Sequence, residues 1–132
     1  MANDHAANTM LRSPLGRVRG LGSAKGGTHH WWLQRLTSIA LLPLTIWFAF
    51  SAALLAGASY EDTVAWIGRP WNAVLLLATI ALVFHHIASG IQVIVEDYAN
   101  QEWTKMSSIL AVKAICALLA IASALAVLRI AV

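Results

Sequence analysis

Residues 71–95 read WNAVLLLATIALVFHHIASGIQVIV, and this stretch decides the fold class. It contains no Asp, Glu, Lys or Arg, and it does not alternate polar and apolar residues as a membrane β-strand must. At about 1.5 Å of rise per residue, roughly 20 helical residues cross a hydrocarbon core about 30 Å thick. The stretch therefore predicts a transmembrane α-helix.

Two further apolar blocks flank this stretch, so the sequence predicts three spans at about 31–57, 71–97 and 106–131. Hydrophobic residues make up 59% of the chain and charged residues 11%, against about 45–50% and about 25% in soluble proteins. We expect an all-α membrane protein with three transmembrane helices, which together form one domain over residues 29–132. This domain is expected to be part of a multi-subunit helix bundle.

The segment 1–28 predicts a flexible, basic tail because glycines and a proline interrupt it. Its charged residues are four bases and one acid: Arg12, Arg17, Arg19, Lys25 and Asp4. Basic residues beside a first span stay in the cytoplasm, so we expect a cytoplasmic N-terminus and, after three crossings, a periplasmic C-terminus. Membrane lipid headgroups, rather than nucleic acid, are the expected partner of this tail.

Two adjacent histidines, His85 and His86, lie within the second predicted span. The twelve residues from His86 to Tyr98 correspond to about 18 Å of helix, which places the imidazole near the middle of the bilayer. A neutral imidazole at that depth suits the iron of a haem, and Gly90 one turn later leaves space for a flat macrocycle or for a second backbone. The alternative is that such a histidine makes a structural hydrogen bond to a neighbouring helix.

One iron cannot be bound by both histidines, because neighbouring residues point about 100° apart on a helix. A second axial ligand would have to come from another chain. Hydroxyl side chains on the first and third spans are the candidate hydrogen-bond partners: Thr37, Ser38, Thr45, Ser51, Ser107, Ser108 and Ser123. The single cysteine, Cys116, is expected to be a small buried thiol.

Polar residues also mark the cytoplasmic ends of the first two spans. The phenol of Tyr98 could hydrogen-bond a quinone and the carboxylate of Asp97 could move its protons, or both could be ordinary interfacial residues. Arg35, one turn inside Trp31, either reaches back to lipid phosphate or faces an interior polar pocket.

Residues 86–98, HIASGIQVIVEDY, resemble the His-x3-Gly, Gln-Val and Asp-Tyr pattern in the smaller membrane anchor (the cytochrome b small subunit) of bacterial succinate dehydrogenase. Residues 27–37, GTHHWWLQRLT, resemble the segment that leads into the first helix of that membrane-anchor family. The resemblance implies that His86 is an axial ligand of haem b and that Tyr98 hydrogen-bonds ubiquinone. It also implies, less directly, that Asp97 belongs to the quinone site and that Arg35 lies near haem propionates or quinone.

The resemblance further implies a four-subunit complex in the bacterial inner membrane that oxidises succinate and reduces ubiquinone. The other membrane anchor of the complex would supply the second haem ligand, and the flavoprotein and iron–sulfur subunits would hold FAD and the clusters. This chain would be a non-catalytic anchor, because it has no dinucleotide-binding glycine motif and no cysteine set for a cluster. The alternatives are a small proton-coupled transporter with His86 as its relay, and a structural assembly subunit without a redox role.

Overall fold

In the computed structural model, Leu15 and residues 26–132 are described, and this part of the chain contains α-helices and no strand. The helices are α1 (Gly26–Leu55), α2 (Tyr60–Ile67), α3 (Pro70–Tyr98) and α4 (Glu102–Ala131). Three of them, α1, α3 and α4, are long and apolar enough to cross a membrane, and 18-residue stretches within them have mean hydropathies of 2.0, 2.1 and 2.4. The predicted fold class is confirmed. Apart from Leu15 and residues 26–28, the predicted basic tail lies outside the described residues.

The helix ends differ from the predicted bounds because polar residues extend the apolar segments by about a turn. Helix α1 already begins at Gly26, so the boundary predicted after residue 28 falls inside its first turn, and α4 begins at Glu102 instead of 106. Pro70 opens α3, where its missing N–H costs no helical hydrogen bond.

The short helix α2 was not predicted, since residues 58–70 were expected to be a loop. The Ser59 side chain caps it by accepting a hydrogen bond from the Asp62 backbone N–H at 3.1 Å. Glu61 and Asp62 in the first turn suit the positive end of the helix dipole. Trp66 of α2 stacks on Trp47 of α1, with ring centroids 5.7 Å apart, and this contact fixes α2 against the bundle.

Helix α3 packs against both α1 and α4 and is therefore the central element of the described chain. The residues that become buried are small: Thr37, Ser51, Ala73, Ser89 and Cys116. Their size allows the helix backbones to approach closely, which is how membrane helices associate. Cys116 is buried and free, as expected, and the large apolar side chains of the described residues point mostly outward.

Candidate functional site

The mid-span histidine His86 lies on the face of α3 that meets α1, where its Nδ1 atom is 2.9 Å from the hydroxyl oxygen of buried Thr37. That hydroxyl also donates to the main-chain oxygens of Leu33 at 2.9 Å and Gln34 at 3.0 Å. Because a hydroxyl has one hydrogen, we infer that Thr37 accepts from an Nδ1–H of His86. This tautomer leaves the lone pair on Nε2, the atom that can bind a metal. Of the candidate hydroxyl partners, Thr37 is the one found.

The Nε2 side of His86 faces the amide of Gln34, whose nitrogen lies 3.5 Å away. The amide oxygen of Gln34 accepts a hydrogen bond from the hydroxyl of buried Ser89. A Cβ atom added at Gly90 would lie 3.3 Å from the Gln34 amide nitrogen. Gly90 therefore makes room for a side chain of α1.

A cleft of about 420 Å³ opens beside these groups, between α1 and α3. Its lining residues are mostly polar or able to hydrogen-bond: Gly27, His30, Trp31, Gln34, Arg35, Ser38, His86 and Val93. His30 has a buried Nε2 atom without a hydrogen-bond partner in the described chain. A buried polar atom left unpaired costs free energy, so a hydrogen-bonding ligand in the cleft would remove an existing penalty.

The predicted site residues are only partly brought together. Arg35 lines the cleft, and its guanidinium carbon lies 5.2 Å from the centre of the Trp31 ring, a cation–π distance. Asp97 and Tyr98 lie at the end of α3 on its exposed surface, with Tyr98 83% exposed. Within this chain they do not line the cleft that holds His86.

The sequence analysis did not assign Gln34, Ser89 or His30 to a site. The spacing of polar residues along α1 does indicate part of this site. His30, Gln34 and Thr37 follow the i, i+4, i+7 pattern of one helical face, and that polar face leads into an otherwise apolar span.

His85 faces away from this cleft and lines a different one between α3 and α4, together with Lys113 and Cys116. The two adjacent histidines therefore lie in separate environments, as their angular offset requires. No group of three or more His, Cys, Asp or Glu side chains that could hold a metal ion by itself occurs in the part of the chain that the structure describes. A metal at His86 would thus need a ligand from a cofactor or from another chain.

Residues 9–125 match the model of a protein family described as the succinate dehydrogenase/fumarate reductase transmembrane subunit. The chain belongs to this family. The family expected from residues 86–98 is thereby confirmed, and so is the anchor character of the three apolar helices.

Relatives of this chain carry matching descriptions. The succinate dehydrogenase hydrophobic membrane anchor subunit of Rickettsia conorii is 29% identical over 107 residues, which cover 80% of this chain and 85% of the relative. The succinate dehydrogenase hydrophobic membrane anchor subunit of Rickettsia typhi is 30% identical over 117 residues, which cover 89% of this chain and 94% of the relative. The succinate dehydrogenase membrane anchor subunit of Reclinomonas americana is 33% identical over 94 residues, which cover 69% of this chain and 78% of the relative. No solved structure matches the chain.

Proposed function

We propose that this chain is the membrane anchor of a succinate dehydrogenase, where it helps to bind haem b and ubiquinone so that electrons from succinate reduce ubiquinone to ubiquinol. The observation that carries the proposal is the pairing of His86 Nδ1 with Thr37, which leaves the Nε2 lone pair beside a cleft, next to the Gln34 amide nitrogen at 3.5 Å. Family membership and the similarity to succinate dehydrogenase membrane anchors of other organisms support the assignment to succinate dehydrogenase.

The residues of the cleft fit a haem. The Thr37 hydroxyl would hold the imidazole of His86 in one tautomer and orientation, as partners of metal-bound histidines generally do. To open Nε2 to the iron, the Gln34 amide would have to leave its 3.5 Å contact with that atom and reorient its hydrogen bond from Ser89. His30 and Arg35 would offer donors to propionate groups at the rim. A bound haem would supply one-electron chemistry, and the other membrane anchor would supply its second axial ligand.

The quinone site is proposed at the end of α3. Tyr98 would donate a hydrogen bond to a quinone carbonyl, and Asp97 would belong to the polar network that exchanges protons there. Their exposure in the isolated chain supports a site that is closed by other subunits. Those would be the other membrane anchor and the iron–sulfur subunit, with the flavoprotein subunit holding FAD beyond it, on the cytoplasmic side of a bacterial inner membrane.

A purely structural role for His86 has its own support in the same hydrogen bond, because the contact with Thr37 joins α1 to α3. The two roles differ in what they demand of the side chain. The imidazole of histidine binds haem iron well and a carboxamide does not, whereas a structural hydrogen bond can be made by either group.

The experiment compares His86→Ala, His86→Gln and His85→Ala in the purified complex by absorption spectroscopy of the reduced haem, with succinate oxidation by an artificial acceptor as the assembly control. We expect both His86 variants to lose or shift the b-type haem band and to retain most of the succinate oxidation, and His85→Ala to keep the native spectrum. An unchanged haem spectrum in His86→Gln would leave only the structural role. Activity of a haem-free wild-type complex as a proton-coupled transporter would overturn the assignment altogether.

A further inference from the structure

The second cleft of the bundle, between α3 and α4, holds polar groups that the proposed function does not use. It has a volume of about 180 Å³ and is lined by His85, Phe84, Lys113 and Cys116. Alanines from both helices complete the lining: Ala81, Ala88, Ala117 and Ala120. Two basic side chains therefore share one cleft within the apolar part of the bundle.

Lys113 lies deep in the membrane-spanning segment. Helix α4 begins at Glu102, so the eleven residues to Lys113 correspond to about 16 Å of helix. A lysine side chain reaches back toward the surface by about 6 Å, which leaves its ammonium group roughly 10 Å below the helix start. Phospholipid headgroups lie outside the hydrocarbon core and do not reach that depth. At that depth a protein carboxylate is a nearer counter-charge for Lys113 than a lipid phosphate.

Within Leu15 and residues 26–132, no acidic side chain supplies that counter-charge. The one ion pair among the described residues is between Lys105 and Glu102, at 4.0 Å, near the start of α4. The acidic residues of the described chain lie at or near helix ends: Glu61, Asp62, Glu96, Asp97 and Glu102. The described residues of a second copy would bring carboxylates to the same positions at helix ends, so they do not complement Lys113 either. An unpaired ammonium in hydrocarbon is strongly unfavourable, so the lysine requires an acidic partner from elsewhere.

We propose that the cleft around His85 and Lys113 is a docking site for a transmembrane helix of a different chain, which carries an Asp or Glu at mid-membrane depth and pairs it with Lys113. The four alanines allow that helix to approach closely, because small side chains bring membrane helices into backbone contact. His85 then lies beside the ion pair and adds a second hydrogen-bonding group. This interface is separate from the cleft of His86, which lies between α1 and α3.

The test places the photo-crosslinking residue p-benzoylphenylalanine at Phe84, which lines the cleft and has a similar shape, in the assembled membrane complex. We expect crosslinks to a membrane span of another subunit, in a peptide that mass spectrometry shows to contain Asp or Glu. Lys113→Met should lower the crosslink yield at least fivefold, and Lys113→Arg should preserve it.

Two matched controls separate this contact from general effects. Lys105→Met removes a lysine at the start of α4 and should leave the Phe84 crosslink unchanged. A probe at Phe50, which lies on α1 and is 70% exposed, should give crosslinks that do not depend on Lys113. Crosslinks from Phe84 to lipid alone, to a second copy, or to a span without an acidic residue would overturn the proposal, as would full yield in Lys113→Met. The haem spectrum reports on the proposed function independently.

Discussion

His86 and His85 are neighbours in the chain, yet each faces a different helix. His86 contacts Thr37 and Gln34 of α1, whereas His85 lines the cleft with Lys113 of α4. The hydroxyl of Thr37 fixes which imidazole nitrogen of His86 keeps its lone pair. One residue of offset along a helix is thus enough to give two chemically identical side chains unrelated roles.

The substitution Tyr98→Phe removes a single phenolic hydroxyl from a side chain that is exposed at the end of α3. We expect quinone reduction by succinate to fall roughly threefold to tenfold, because a lost hydrogen bond of about 1 kcal/mol changes an equilibrium by about that factor. The measurement is steady-state reduction of a short-chain ubiquinone analogue, with the haem spectrum as an assembly control.

The chain offers a matched control for this substitution. Tyr60, the other tyrosine, is equally exposed at 82% but lies at the start of α2, at the opposite end of the bundle. Tyr60→Phe should leave quinone reduction unchanged. Wild-type kinetics in Tyr98→Phe would remove Tyr98 from the quinone site.

At the scale of elements, α3 is the helix on which both clefts depend, since it packs against α1 on one side and α4 on the other. The hydrogen bond between His86 and Thr37 joins two of the helices that are long and apolar enough to span a membrane. Its strength therefore influences both the pairing of α1 with α3 and the electron density on the imidazole.

Thr37→Val preserves the shape of the side chain but removes the acceptor for His86 Nδ1–H. A less basic axial ligand favours ferrous iron, so we expect the midpoint potential of the haem to rise by on the order of tens of millivolts, with the haem still bound. A spectroscopic redox titration measures this shift.

Thr45→Val is the matched control on α1, because the Thr45 hydroxyl is exposed and bonds only to main-chain oxygens, at 2.8 Å to Leu41 and 3.1 Å to Leu42. It should leave the potential unchanged. Identical potentials in Thr37→Val and the wild type would mean that the hydroxyl does not hold the haem ligand.

Hydropathy and length were sufficient to predict α1, α3 and α4, because the bilayer demands long apolar helices whatever the neighbours are. Helix α2 was missed because its stability comes from local capping by Ser59 and from stacking of Trp66, which a hydropathy pattern does not register. The contacts of Gln34 with His86 and Ser89 were missed for another reason. They depend on the rotation and register of two packed helices, which interhelical packing decides.

For the molecule as a whole, the positive charge of the N-terminal segment predicts the orientation of the bundle in the membrane, with the N-terminus in the cytoplasm. In a Cys116→Ser background, a membrane-impermeant maleimide should label Val132→Cys in intact cells, since this residue is fully exposed at the end of α4. Asn100→Cys, in the exposed connection between α3 and α4, should be labelled only after the inner membrane is permeabilised. The reverse labelling pattern would contradict a cytoplasmic N-terminus.

The small size of the buried side chains has a consequence for the cell. With residues such as Ala73 and Ser89 at the helix contacts and no large side chain fully buried among the described residues, the bundle gains little packing energy from its own chain. We expect an unassembled copy to unfold or be degraded in the membrane much faster than an assembled one. The supply of partner subunits would then set the abundance of this anchor, whatever its rate of synthesis.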